Sequence, residues 1–124
     1  MQGLMMDNEL LISSILKHAD INFGDREIVS VTADNPLHRY TYRECFKRTR
    51  QLANALSELG LEQGDRVATL AWNDYRHLES YYAISGSGYV CHTVNPRLFP
   101  EQITFIINHA EDRIVLVDLL VLPL

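Results

Sequence analysis

Three short apolar runs limit what this chain can fold into: "RVATLA" from Arg66 to Ala71, "YVCHTV" from Tyr89 to Val94 and "RIVLVD" from Arg113 to Asp118. Each is too short for a stable helix and too continuously apolar for a strand with one wet face. Runs of this kind read as strands buried on both sides. A helical pattern lies between the first and second, near Asp74 to Ser85, and another between the second and third, at about Pro100 to His109. Strands separated by helices cannot pair as hairpins. They line up in parallel, with the helices on the two faces of the sheet and right-handed crossovers.

The residues upstream read differently. Leu11, Ile12, Ile15, Leu16 and Ala19 recur at helical spacing between Leu10 and Ile21, and Gly24 closes that segment. "EIVSV", the turn "TADNPL" and "HRYTY" predict a β-hairpin, with Ala33 to Pro36 the one linker-like stretch. Thr41 and Glu44 form T-x-x-E, a capping box in which hydroxyl and carboxylate each take a free backbone N–H. The helix that follows is expected to bury Cys45, Thr49, Leu52, Ala53, Leu56 and Leu59, with Gly60 as its left-handed exit. In the last helix Ile103, Phe105, Ile106 and Ile107 are expected to point inward. The predicted class is α/β: a partly parallel βαβαβ sheet flanked by helices and preceded by a helix and a hairpin. Internal repeats and low-complexity tracts are absent.

Charge narrows the partners. A net charge of -5 disfavours nucleic acid, whose phosphates require clustered cations. The one basic cluster, "RECFKRTR" from Arg43 to Arg50, reads as a solvated helix face. Cys45 and Cys91 are too few and too far apart for a metal knuckle or a redox pair, and read as reduced thiols. The first residues lack the basic start and apolar core of a secretory signal, and no stretch reaches the ~20 apolar residues of a membrane span. The expectation is a cytoplasmic protein. "VLVDLLVLPL" ends on an apolar run, which predicts a chain cut from a longer domain.

Candidate sites are few. "GSGYVC" lacks the third glycine of a dinucleotide fingerprint and runs from helix to strand, the reverse of the phosphate-binding order. It reads as a turn. Neither G-x-x-x-x-G-K-[ST] nor G-x-S-x-G occurs. His18, His38, His77, His92 and His109 show no zinc-ligand spacing. His92 is placed at the carboxyl end of its strand, where open sheets hold ligands, although a hydrogen-bonded structural role is the favoured reading. Asp118 also ends a strand. Asn73 or Asp74 is expected to cap a helix, and Trp72 to be a packed aromatic. In "NPRLFP", Pro96 and Pro100 stiffen the passage from strand to helix, and Arg97 can meet an anion or a structural carboxylate. With no glycine between the prolines, the loop reads as a joint.

Taken in order, "YTYRECF", "LANAL", "GLEQGDRVATLAWN", "CHTVNPRLFPEQI" and "EQITFIINHAEDRIVLVD" resemble the opening of an AMP-forming acyl-CoA synthetase, of the adenylate-forming superfamily. "AWNDYRHLESYYA" is similar to the fatty-acyl and related short- or medium-chain ligases. The resemblance runs from Leu10 onward. It implies a parent using ATP and Mg2+, with CoA as co-substrate, to activate a fatty or other carboxylic acid. A carboxylate attacks the α-phosphate and expels diphosphate; the CoA thiol then displaces AMP. It also implies that residues 1–124 are the N-terminal part of an AMP-binding domain, truncated at its C-terminal end. The family's Ser/Thr/Gly-rich loop, later nucleotide motifs and mobile-domain lysine match no position here. No catalytic, cofactor-binding or metal-binding residue is therefore carried over. The chain alone is expected to be inactive, to bind no cofactor tightly, and to self-associate through its truncated edge. A self-contained α/β binding module and an interaction or oligomerisation piece are the competing readings.

Overall fold

In a computed structural model, described for residues 3, 6–32 and 34–122, the elements run α1 (Ile12–Phe23), β1 (Glu27–Ser30), β2 (His38–Thr41), α2 (Tyr42–Ser57), β3 (Arg66–Leu70), α3 (Tyr75–Gly86), β4 (Val90–Val94), α4 (Pro100–Ala110) and β5 (Ile114–Val117). β1 and β2 form an antiparallel hairpin; the other strands form a parallel sheet in the order β4-β3-β5. Of the expected linker, Ala33 lies outside the described residues, as do Pro123 and Leu124 of the terminal run.

The central strand, β3, is buried along most of its length. Val67 and Ala68 are 0% exposed and Thr69 1%, while both edges of the strand are hydrogen-bonded. Its side chains alternate between two cores, as the strand period demands. Val67 packs with Leu56, Ala83 and Ile84 from α2 and α3; Ala68 and Leu70 pack with Val94, Ile103 and Val121 on the opposite face. The chain steps from β3 to β4 over α3, then back past β3 to β5 over α4. Opposite directions of travel with helices on opposite faces give both crossovers the same hand, as the chirality rule requires. A third cluster, Leu16, Tyr40 and Cys45, seats α1 and the hairpin against α2.

Local chemistry fixes the helix ends. The Thr41 N–H donates to Glu44 Oε2 at 2.8 Å and the Glu44 N–H to Thr41 Oγ1 at 3.2 Å, so the capping box is closed. Asp74, not Asn73, caps α3, its carboxylate taking the N–H groups of Arg76 and His77. Pro100 occupies the first turn of α4, and Gln102 reaches back to accept the Phe99 N–H at 3.2 Å. Gly60 leaves α2 at φ +73, where a β-carbon would be strained.

Two inward assignments fail. Leu59 is 61% exposed because α2 stops at Ser57, two residues before the helical spacing would bring Leu59 back to the core. Phe105 is 65% exposed and stacks on His109, one turn along the outer face of α4. In α1 only Leu16 is buried; Leu11, Ile12 and Ile15 face outward. The terminal run divides, with Val121 docked in the core while Leu119, Leu120 and Leu122 are exposed.

Leu56→Ala should lower the unfolding free energy by about 2–5 kcal/mol, whereas Leu59→Ala should change it by no more than about 0.5 kcal/mol. Urea denaturation of the two variants checks this. Equal losses would show that α2 continues inward past Ser57.

Candidate functional site

The loops that follow the parallel strands gather at one edge of the sheet. The loop after β3, Trp72 to Asp74, turns toward the face covered by α3. The segment after β5 turns the other way, carrying Val121 into the core beside α4. Divergent loops open a crevice between neighbouring carboxyl ends, the position where open α/β sheets hold ligands. Three clefts line this edge. One of about 500 Å³ lies between β1, α3 and β4; one of about 410 Å³ lies between the loops after β3 and β4; a small one of about 80 Å³ lies between β3, α3 and β5.

His77 lines all three. It stands in the first turn of α3, its own N–H bound to the Asp74 cap at 3.1 Å. Its Nε2 lies 3.0 Å from the hydroxyl of Thr69, on the buried central strand. A buried hydroxyl must be paired, so Thr69 fixes the imidazole. Sequence reading counted His77 among the histidines and gave it no role. The available signal was its place three residues after the capping aspartate and eight after an interior threonine.

Arg97 is in no ion pair among the described residues. Its guanidinium lies 5.5 Å from the centre of the Trp72 ring, joining the loop after β4 to the loop after β3. Trp72 is 39% exposed, a half-open platform in place of the packed aromatic that was expected. Asn95 Oδ1 accepts the Arg97 N–H at 3.0 Å, a local turn that holds the arginine's backbone. Asn73 is exposed and shared by the two larger clefts. Asp118 lines the small cleft and accepts the Leu120 N–H at 3.0 Å.

His92 is not at the carboxyl end of β4. It sits mid-strand opposite Ala68, and its Nδ1 meets Asp112 at 2.8 Å, in the turn between α4 and β5. The Asp112 side chain is fully buried and the histidine is its partner. The pair is a brace between β4 and β5, which β3 separates. His92→Ala, by leaving a buried carboxylate unpaired, should cost about 3 kcal/mol or more of stability. Chemical denaturation at neutral pH measures it; a loss below 1 kcal/mol, about the worth of an exposed pair, would remove the brace.

Glu79 escaped sequence reading altogether. Its side chain, 6% exposed, is held by Arg48 at 2.7 and 3.1 Å across α2 and α3. The bidentate geometry holds Arg48 protonated, raising its pKa, and Arg48, still half exposed, ties the solvated face of α2 to a buried carboxylate of α3. Burial pushes up the Cys45 thiol beside it and, as the sole cause, the Cys91 thiol, so both are poor nucleophiles.

The described residues do not assemble a phosphate cradle. The glycines with positive φ, Gly60, Gly64 and Gly88, all lie in turns that precede β3 and β4, away from any helix N-terminus at the carboxyl edge. Among the described residues no three His, Cys, Asp or Glu side chains gather where a cation would sit.

A doubly wound sheet with its loops gathered at the carboxyl edge defines the ligand-bearing type of α/β scaffold. The chain belongs to the AMP-binding enzyme family, whose profile matches residues 16–123. It is 54% identical over all 124 residues to a medium-chain-fatty-acid–CoA ligase of Ectopseudomonas oleovorans and 53% identical over the same length to a 3-methylmercaptopropionyl-CoA ligase of Ruegeria lacuscaerulensis. In each case the chain spans 23% of the relative's length. Among solved structures, an anthranilate CoA ligase, AuaEII, in complex with anthranoyl-AMP, superposes with a TM-score of 0.79 at 24% identity, covering 94% of this chain and 22% of that one. That last likeness speaks for the fold alone. No helix among the described residues is long and apolar enough to cross a membrane.

Two aspartates flank Arg76, whose Nη2 donates to both carboxylate oxygens of Asp34, at 2.8 and 2.6 Å. The Arg76 hydrogen bonds, then one from Thr32, hold the Asp34 carboxyl down from 3.8 to about 2. A depressed pKa favours the folded state above pH 3.8, and that contribution is lost as the pH falls toward 2. Carboxyl NMR titration should place the Asp34 midpoint near 2, and Arg76→Ala should return it toward 3.8. An unchanged midpoint in the variant would remove the clamp.

Proposed function

We propose that this chain is the first part of the AMP-binding domain of an AMP-forming acyl-CoA ligase. The parent activates a fatty or other carboxylic acid with ATP and Mg2+ and passes the acyl group to CoA. The observation that supports this most is the identity of about half the residues with two CoA ligases over the whole chain. The two relatives act on different acids, so the reading stops at the carboxylic acid class.

On this reading the chain supplies framework, and the groups that neutralise phosphate lie in the part of the parent beyond Leu124. The chain alone does not adenylate. No catalytic, nucleotide-binding or metal-binding residue is assigned to it, and the parent works in the cytoplasm. The reading is supported by the share of each relative that the chain spans, 23% of its length. Among the described residues both β4 and β5 have an edge without a strand partner, and with Leu119, Leu120 and Leu122 exposed the isolated chain self-associates.

The test uses two proteins. The full reading frame that contains this chain should form acyl-CoA, AMP and diphosphate from medium-chain acids, CoA and ATP, while the 124-residue chain should show no acid-dependent exchange of diphosphate into ATP. Absence of thioester formation by the long product with a panel of acids would end the ligase reading. Exchange catalysed by the short one would end the assignment of the chemistry to the missing part. Light scattering that shows a monomer at high concentration would count against the exposed edges.

A further inference from the structure

The hairpin and the parallel sheet are separate sheets that meet at one helix. Ile28, Val29 and Ser30 of β1 and Thr93 of β4 line a single cleft of about 500 Å³, with His77, Leu78 and Tyr81 of α3 as its floor. Side chains alternate along a strand, so three consecutive residues of β1 reach the cleft only where the edge of that strand faces it. β2 occupies the other edge of β1, and β3 the other edge of β4. The two edges that remain have no strand partner among the described residues.

The direction of the free backbone groups follows from the bonds already made. The Val90 N–H donates to the Asp65 carbonyl at 2.9 Å, on the side of β3. Residues of a ladder alternate between its two sides, so Cys91 and Thr93 turn their N–H and C=O groups outward. The Tyr42 N–H donates to the Arg26 carbonyl at 3.0 Å, and the register sets Ile28 opposite Tyr40 and Ser30 opposite His38. Those pairs bond to each other, and Val29, between them, turns its N–H and C=O away from β2. Thr93 is exposed and Val29 is 49% exposed. Free ladder groups on two edges, above the apolar Leu78 and Tyr81, are what an added strand uses: main-chain bonds for affinity and a side-chain floor for specificity.

We infer that this cleft seats an extended segment of the parent chain from outside residues 1–124, which pairs with β4 on one side and β1 on the other and joins the two sheets into one. The inference rests on the reading of the chain as the first part of a ligase: it spans 23% of the length of the relatives it matches, so most of such a parent lies outside it. β1 has four residues and β4 five, which sets the length of the segment. Its side chains alternate, and those on the α3 side meet Leu78 and Tyr81, so every second residue of the segment is apolar. The groups left open on both edges are backbone donors and acceptors in register, which a strand answers along its whole length and a small ligand does not.

Hydrogen exchange, compared between the dilute 124-residue chain and the product of the full reading frame, tests the seat. The N–H groups of Val29, Cys91 and Thr93 should exchange freely in the short chain and at least about a hundredfold more slowly in the long one, as interior ladder bonds do. Proline gives a second measurement, since a strand accepts it where its N–H faces solvent and rejects it where that N–H is bonded. Thr93→Pro should move the thermal midpoint of the short chain by less than about 2 °C and lower that of the long product by about 5 °C or more. If the short variant does not fold, the exchange rates of the unaltered proteins decide the matter. Free exchange at these three groups in the long product would overturn the seat, and so would a long product that tolerates Thr93→Pro as well as the short chain does. Slow exchange already present in the short chain and lost on dilution would give the seat to a second copy and overturn its assignment to the parent. Thioester formation is scored separately. An active long product with open edges loses the strand and keeps the ligase reading, and an inactive one with closed edges does the reverse.

Discussion

The strand β3 has no wet side. It is paired on both edges and packed on both faces, so every residue from Val67 to Leu70 must satisfy neighbours in the hydrogen-bonding direction and perpendicular to it. A one-residue slip of register would move Val67 and Thr69 into the core built for Ala68 and Leu70. The two cores are unequal: Leu56, Ala83 and Ile84 stand on one side, Ile103 and Val121 on the other. The slip is therefore excluded by volume as well as by bonding. Thr69 is the polar residue in this run, and its hydroxyl reaches the ring of His77. The most constrained element of the fold thus sets the orientation of the residue at the centre of the carboxyl-edge surface.

A two-stranded hairpin is marginal alone, and β1–β2 holds because it is fastened to the start of α3. Ser30 Oγ accepts the Tyr75 N–H at 3.0 Å, the His38 ring stacks on Tyr75 at 3.8 Å, and Asp34 grips Arg76. These contacts fall on consecutive helical residues, so the hairpin meets α3 in one register. Ser30 and Tyr75 of this junction form part of the wall of the cleft between β1, α3 and β4. Its shape depends on polar and aromatic contacts as much as on hydrophobic burial.

Much of this was legible in the sequence, and the parts that were not share a cause. Apolar continuity identified the parallel strands, the T-x-x-E pattern identified the start of α2, and the proline spacing identified the joint before α4, because each signal is local. Leu59 and Phe105 were misread where periodicity was extended past a helix end or beyond the stripe that a neighbour covers. Arg48 with Glu79 and His92 with Asp112 join residues 31 and 20 positions apart, and no local pattern announces them. His92 was placed at a strand end, because a strand's last apolar residue does not fix its last hydrogen bond, while the favoured hydrogen-bonded structural role is the one it has with Asp112. The resemblance to the family supplied the reaction class but no residue.

The proline loop was framed as either a joint or a ligand loop, and the structure removes the contrast. With Pro96 and Pro100 fixing the backbone and Asn95 closing a turn on the Arg97 N–H, the loop cannot fold its amides around a phosphate; no glycine is there to allow so close an approach. Stiffness of this kind leaves recognition to side chains. The rigid loop holds the Arg97 guanidinium over the Trp72 ring, tying the loop after β4 to the loop after β3. Backbone-mediated phosphate binding requires the opposite: a flexible glycine-rich turn opening a helix. The proline loop meets its surroundings through side chains set on a fixed backbone, the opposite of such a turn.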